Sequence, residues 1–198
     1  MKIGIEINGV LRDTINKLEQ VYKKYQIDKV DGLETEDNFT YEMTLPVTSL
    51  NLRNHFKFKD DNEFYSFLFE EFPMEIFGHA GSTETMTFND LNNFYFDFRN
   101  DNDILIVSDE MGKSKPASLF FLSKFGCLIE KVKFYSHTTI STMWDEVDIL
   151  VTANPDLITT HPQDKIIIKF NTDYNKDTEC ENEISSIKEL NNIIKKFI

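Results

Sequence analysis

The chain is short of cysteine, of positive charge and of long apolar runs, and each shortage closes off a class of function. Cys127 and Cys180 stand far apart and form no Cys-x-x-Cys spacing. That excludes a zinc ribbon or a disulfide scaffold and leaves free thiols, as expected in a reducing compartment. His55, His79, His137 and His161 show no ligand spacing, so a histidine metal site is not expected. Lys and Arg number 21 against 34 Asp and Glu, a net charge of −13. Such a charge repels polyanions, so neither nucleic acid nor an anionic membrane is an expected partner. A small phosphate compound is still admissible, since one pocket can be locally positive. No apolar run approaches the roughly 20 residues that span a bilayer, and the N-terminus carries no basic-then-apolar signal. The expected location is a cytoplasm, cellular or virus-infected.

What the chain does have is material for a core. Its 198 residues are 40% apolar and 13% aromatic, with 18 phenylalanines, enough for one buried domain and a modest insertion. Five short apolar runs stand out, at 2–7, 104–108, 132–135, 148–152 and 165–170. Near-continuous apolarity suggests strands buried on both faces, and helical patterns separate the last four. The expectation is an α/β fold with a parallel sheet of about five strands, flanked by helices and joined by right-handed crossovers.

Leu11, Ile15, Leu18, Tyr22 and Tyr25 lay one stripe along a first helix, with Asp13 placed to satisfy its free amides. Pro116 and Gly126 bracket a helix over 115–125. Ile184, Ile187, Leu190, Ile194 and Phe197 predict a C-terminal amphipathic helix, preceded by an acidic solvated loop over 171–183. Residues 28–100 break the alternation and are too long for a simple crossover. Within them 40–45 reads as extended, and 63–72 and 89–98 as helical. The aromatics Phe94, Tyr95, Phe96 and Phe98 read as packing residues in preference to a base-stacking platform.

The most specific text is the opening, Met1 to Thr14: a buried strand, a glycine turn at Gly9 and a helix start. Its run Ile5-Glu6-Ile7-Asn8-Gly9-Val10-Leu11 resembles the Asp-x-Asp-Gly-Val-Leu motif of the haloacid dehalogenase superfamily. Within it the likeness is to the 5'-nucleotidases and 5'(3')-deoxyribonucleotidases. The resemblance implies a Rossmann-like core over 1–27 and 101–198, with a mainly helical cap inserted over 28–100. It also implies magnesium-dependent hydrolysis of nucleoside monophosphates.

Position by position, the implied machinery is incomplete. Glu6 stands where the family has its nucleophilic aspartate. Its extra methylene moves the attacking oxygen by more than ~1 Å, a displacement worth on the order of 100-fold in rate. Asn8 stands at the acid/base position, and an amide exchanges no proton near neutral pH. Ser108 fits the phosphate-binding hydroxyl of the second motif. For the motif-three lysine, Lys115 has the local Lys-Pro text, whereas topology points to 136–139, where His137 is the one basic residue. Thr152 and Ala153 occupy the positions of the magnesium-binding acids, leaving Glu6 and the Asn8 backbone carbonyl as the remaining metal ligands. Asp148, at the start of its strand, and Asp156, in the following helix, do not replace them.

The preferred reading is a catalytically degenerate nucleotidase homologue, a pseudophosphatase that binds a nucleotide or phosphate or acts through a protein surface. It needs no cofactor. The alternatives are an active magnesium-dependent 5'-nucleotidase and a structural subunit with no ligand.

Overall fold

The computed structural model describes residues 1–29, 40–136 and 138–198. Its centre is a parallel sheet of β1 (Lys2–Glu6), β2 (Asp103–Asp109), β3 (Val132–Tyr135), β4 (Ile149–Thr152), β5 (Ile166–Phe170) and β6 (Glu183–Ile184), in the order β3-β2-β1-β4-β5-β6. The helices are α1 (Thr14–Lys29), α2 (Asp61–Ser66), α3 (Thr87–Phe98), α4 (Ser114–Lys124), α5 (Ile140–Asp145), α6 (Pro155–Thr160) and α7 (Leu190–Ile194). This is a Rossmann-like α/β fold with six strands where the sequence suggests five. The sixth strand is two residues long and lies where the acidic loop meets the expected last helix.

The apolar runs of β1, β2, β4 and β5 form strands with both faces covered, whereas β3, at the sheet edge, is only partly buried, contrary to the expectation for 132–135. Along β2, Ile104 and Ile106 join one buried cluster with Phe88, Leu91 and Phe121. Leu105 and Val107 join another, with Met143, Trp144 and Leu157. The period of two therefore shows as alternation between two cores rather than between core and solvent. Gly4 of β1 has no side chain because there is no space for one: a Cβ would lie 2.7 Å from Val147.

Strands β2 and β3 lie on one side of β1, and β4 to β6 on the other. The strand order reverses at β1 and β4, and in open α/β sheets the ligand crevice lies outside the carboxyl ends of the strands at that reversal. Glu6, the last residue of β1, is in register with Val107 at this point.

Residues 40–81 form a second packing centre. Leu18 and Tyr22 of α1 meet Phe56, Phe58, Phe67, Ile76 and Phe77, with Ala117 of α4 beneath. The Tyr22 ring lies 5.1 Å from Phe56 and 5.2 Å from Phe58, and its hydroxyl donates to the Lys57 carbonyl at 2.6 Å. The helix expected over 63–72 is α2 followed by a π-helical turn at Phe67–Glu71. Helix α3 packs instead on the sheet: Phe88, Leu91, Phe94 and Phe98 belong to the main core, while Phe96 is exposed.

Three local expectations are corrected. Residues 40–45 make only an isolated bridge, Met43 to Phe56, in place of an extended segment. The C-terminal helix is broken into a 3-10 turn at Ile187–Glu189 and the short α7, because Ile184 is used by β6. Leu11 lies in the turn before α1, its amide held by the Ile7 carbonyl at 3.0 Å.

Candidate functional site

The turn after β1 builds the site. The Ile7 carbonyl accepts from the amides of Leu11 and Arg12, and the Gly9 amide donates to the Arg12 carbonyl at 2.9 Å. Closing this loop requires φ +75° at Gly9, and a Cβ there would lie 1.8 Å from the Tyr174 hydroxyl. Only glycine meets both conditions.

The same turn drives Arg12 into the interior, where it is fully buried. Its guanidinium donates at 2.6 Å to Glu110, to Asn8 Oδ1 and to the Ser118 hydroxyl, and at 3.0 Å to the Phe77 carbonyl. The rings of Phe77 and Phe121 lie 5.0 and 5.4 Å away. Burial pulls the guanidinium below its ordinary pKa and the charge of Glu110 opposes this. Asn8 is thereby committed. Its Oδ1 also accepts from Thr14 at 2.8 Å, and its Nδ2 donates to Ser108 at 3.3 Å. Ser108, also buried, donates to Glu110.

Glu6 is 2% exposed. Thr152 Oγ1 donates to one carboxylate oxygen, and the Tyr135 hydroxyl donates to the other at 2.7 Å. Burial pushes the Glu6 carboxyl up to about 7. The two hydroxyls and the Ala153 backbone hold it down in part, and the charge of Asp109 adds to the rise. Thr152 also accepts from the Asn154 amide at 2.9 Å, tying the end of β4 to the start of α6.

Above these residues lies a cavity of about 280 Å³. Its floor includes Glu6, Asn8, Asp109, Asn154 and Asp156, and its roof includes Leu50, Leu52, Leu68, Phe69, Ile76 and Phe77. Beyond Gly9 and Tyr174 it adjoins a wider cleft of about 850 Å³. The Tyr174 hydroxyl is raised above its ordinary pKa, first by burial and then by the charge of Glu6.

The structure thus brings together Glu6, Asn8, Ser108, Thr152 and Ala153 at the carboxyl ends of β1, β2 and β4. Lys115 is exposed in the first turn of α4, its Nζ 5.9 Å from the Phe134 ring centre, and lines neither cavity. His137 lies outside the described residues. Asp148 is remote, its Oδ2 accepting from the Lys2 amide at the start of β1. Asp156, set aside in the sequence reading as interior to a helix, sits in the first turn of α6 and lines the cavity.

Magnesium finds a poor fit in this arrangement. Both Glu6 oxygens already accept hydroxyl bonds. Among the described residues, no group of three or more His, Cys, Asp or Glu side chains is arranged to hold a metal.

Four residues shape the site without announcing themselves in the sequence: Arg12, Glu110, Tyr135 and Tyr174. Arg12 and Glu110 look like surface charges, and only the turn geometry inverts them. Tyr135 carried a faint signal, as the last residue of a strand whose end faces the crevice.

No family profile matches the sequence, and no curated protein matches it. A solved structure from Burkholderia xenovorans, described as a haloacid dehalogenase-like hydrolase, aligns over 98% of this chain and 96% of its own, with a TM-score of 0.62 and 9% identity. At that identity the likeness establishes the fold. Among the described residues, no helix is long and apolar enough to cross a membrane.

Proposed function

We propose that this chain is a degenerate member of the haloacid dehalogenase fold that does not hydrolyse phosphate esters and uses its crevice to bind. The observation that carries this reading is the state of Glu6. A nucleophile must present a charged, unencumbered oxygen to phosphorus. Glu6 is buried and bonded through both oxygens to Thr152 and Tyr135, and burial pushes its carboxyl up to about 7, disfavouring the charged form.

The neighbouring positions support the same reading. Asn8 is held by Arg12, Thr14 and Ser108 and has no proton to deliver to a leaving oxygen. The nearby cation, Arg12, is committed to Glu110. Phosphoryl transfer depends on positive charge placed where the transition state becomes negative. Among the described residues, no Lys, Arg or His lines the cavity. Residues 40–81 act as the cap in this reading, since the roof comes from them; of the cap read over 28–100, residues 30–39 lie outside the described residues.

The test is phosphate release from nucleoside monophosphates with magnesium, run on the wild type and on Glu6→Gln. The expected result is background release from both. Turnover in the wild type that Glu6→Gln abolishes would overturn the reading in favour of an active 5'-nucleotidase-like enzyme. A second arm restores the family text with Glu6→Asp, Asn8→Asp, Thr152→Asp and Ala153→Asp together. Release appearing only in that variant would mark a scaffold that has lost its chemistry.

A further inference from the structure

We propose that the crevice is a receptor for a small organic cation, an amine with an apolar body, held with its ammonium group on the carboxylate floor and its hydrocarbon under the roof. The inference rests on the reading above, that the crevice binds rather than hydrolyses, and it names the ligand class. Two independent features of the cavity carry it.

The first is its shape and lining. A half-open cleft of about 280 Å³ lies beneath six apolar side chains from residues 50–77. Small-molecule sites are concave, mostly apolar and fixed by a few convergent polar groups. The apolar body of a ligand is read from this roof, whatever the charge below it.

The second is the sign of the floor. Glu6, Asp109 and Asp156 line the cavity, and among the described residues no cationic side chain does. The wider cleft beyond Tyr174 is also lined by acids, Asp13, Glu19, Glu84 and Asp173, of which Glu19 pairs with Lys23, and among the described residues no Lys, Arg or His lines it. A carboxylate ordinarily avoids burial unless it is paired, yet Glu6 is held at 2% exposure against this space by two hydroxyls and no cation. Because both Glu6 oxygens already accept hydroxyl bonds, an ammonium group would sit above Glu6 beside the exposed carboxylate of Asp156 and offset the Glu6 charge through space without displacing those bonds. A phosphate would face three acids with its nearest buried cation already spent on Glu110. A compact metal ion is a worse match than a larger organic cation, because the carboxylates surround a chamber without converging on a point.

The approach is also charge-matched. Gly9, Thr14, Ile15 and Tyr174 line both spaces, so a cation entering through the outer cleft meets acids along the whole route. Tyr174 stands between the two spaces.

Calorimetric titration of the full chain with 2-phenylethylamine, 2-phenylethanol, inorganic phosphate and adenosine monophosphate tests this. Saturable binding of the amine is expected, with the uncharged alcohol weaker by roughly tenfold or more, the equivalent of one partly enclosed ion pair. Asp156→Asn, at an exposed position in the first turn of α6, is expected to weaken the amine several-fold and leave the alcohol unchanged, with a thermal melt of the variant confirming that it is folded. Equal binding of amine and alcohol would overturn the proposal, as would tighter binding of phosphate or the nucleotide, or no amine binding. If phosphate release is at background and the amine does not bind, this inference falls alone. If release is Glu6-dependent, the proposed function falls and this inference with it.

Discussion

Arg12 and Glu110 meet at 2.6 Å with neither side chain exposed, joining the turn after β1 to the loop after β2. The pair also gathers Asn8, Ser108, Ser118 and the Phe77 carbonyl. One oxygen of Glu110 carries this load, and the other is buried with no partner. The turn, the second strand, α4 and the roof segment thus share one electrostatic junction.

Breaking that pair from one side is expected to be costly. Arg12→Met or Glu110→Gln strands a buried charge, and each should lose about 3–5 kcal/mol of stability. The double variant Arg12→Met with Glu110→Gln should lose less than the sum, since neither charge is then left alone. Urea denaturation of the four proteins in a double-mutant cycle measures this.

The stability of the protein should depend on pH through Glu6. Its carboxyl is raised from 4.5 to about 7 in the folded state, so between those values the native state binds the extra proton. Stability therefore falls as pH rises through this window. At pH 8 the folded protein carries the full cost of an ionised buried carboxylate, on the order of 3 kcal/mol. Below pH 4.5 both states are protonated and the cost is absent. Glu6→Gln should consequently be more stable than the wild type at pH 8 and nearly equal to it at pH 4.5. Denaturation midpoints of the two proteins at both pH values decide the matter; a difference independent of pH would contradict the assignment.

Gly9→Ala should destabilise by about 1–3 kcal/mol, from positive φ and from collision with Tyr174. Tyr174→Phe removes the oxygen that lies 1.8 Å from the added Cβ. In the Gly9→Ala background it should recover part of the loss, but not the part due to φ. A thermal melt of the two single variants and the double separates the contributions.

Phe67 is fully buried in the second packing centre. Phe67→Ala should cost about 3–5 kcal/mol. Because the roof of the cavity is built on this centre, limited proteolysis should gain cleavage sites within residues 40–81 before the sheet unfolds.

The parts of this structure legible in the sequence are those governed by short-range pattern. The run at 104–108 reads as a strand because β-branched residues buried on both faces leave little else to be, and 132–135 reads as one from its β-branched and aromatic residues although, at the sheet edge, it is only partly buried. Gly9 and the strand before it read as a turn at a crevice because only glycine takes that backbone. The polar residues Glu6 and Asn8 at the end of that strand, and the absence of acids at Thr152 and Ala153 at the end of β4, were likewise readable in the sequence.

The sheet order, the pairing of distant side chains and the sign of the cavity were decided by tertiary structure. Val132 to Tyr135 is visibly a strand, but nothing local says that its last hydroxyl reaches Glu6, 129 residues away. Arg12 reads as a solvated charge until the turn closes and burial forces it onto Glu110. β6 is too short to carry a pattern and exists because β5 offers an open edge. Local propensity and period belong to neighbouring residues, whereas burial, pKa and charge complementarity belong to residues that only the fold makes neighbours.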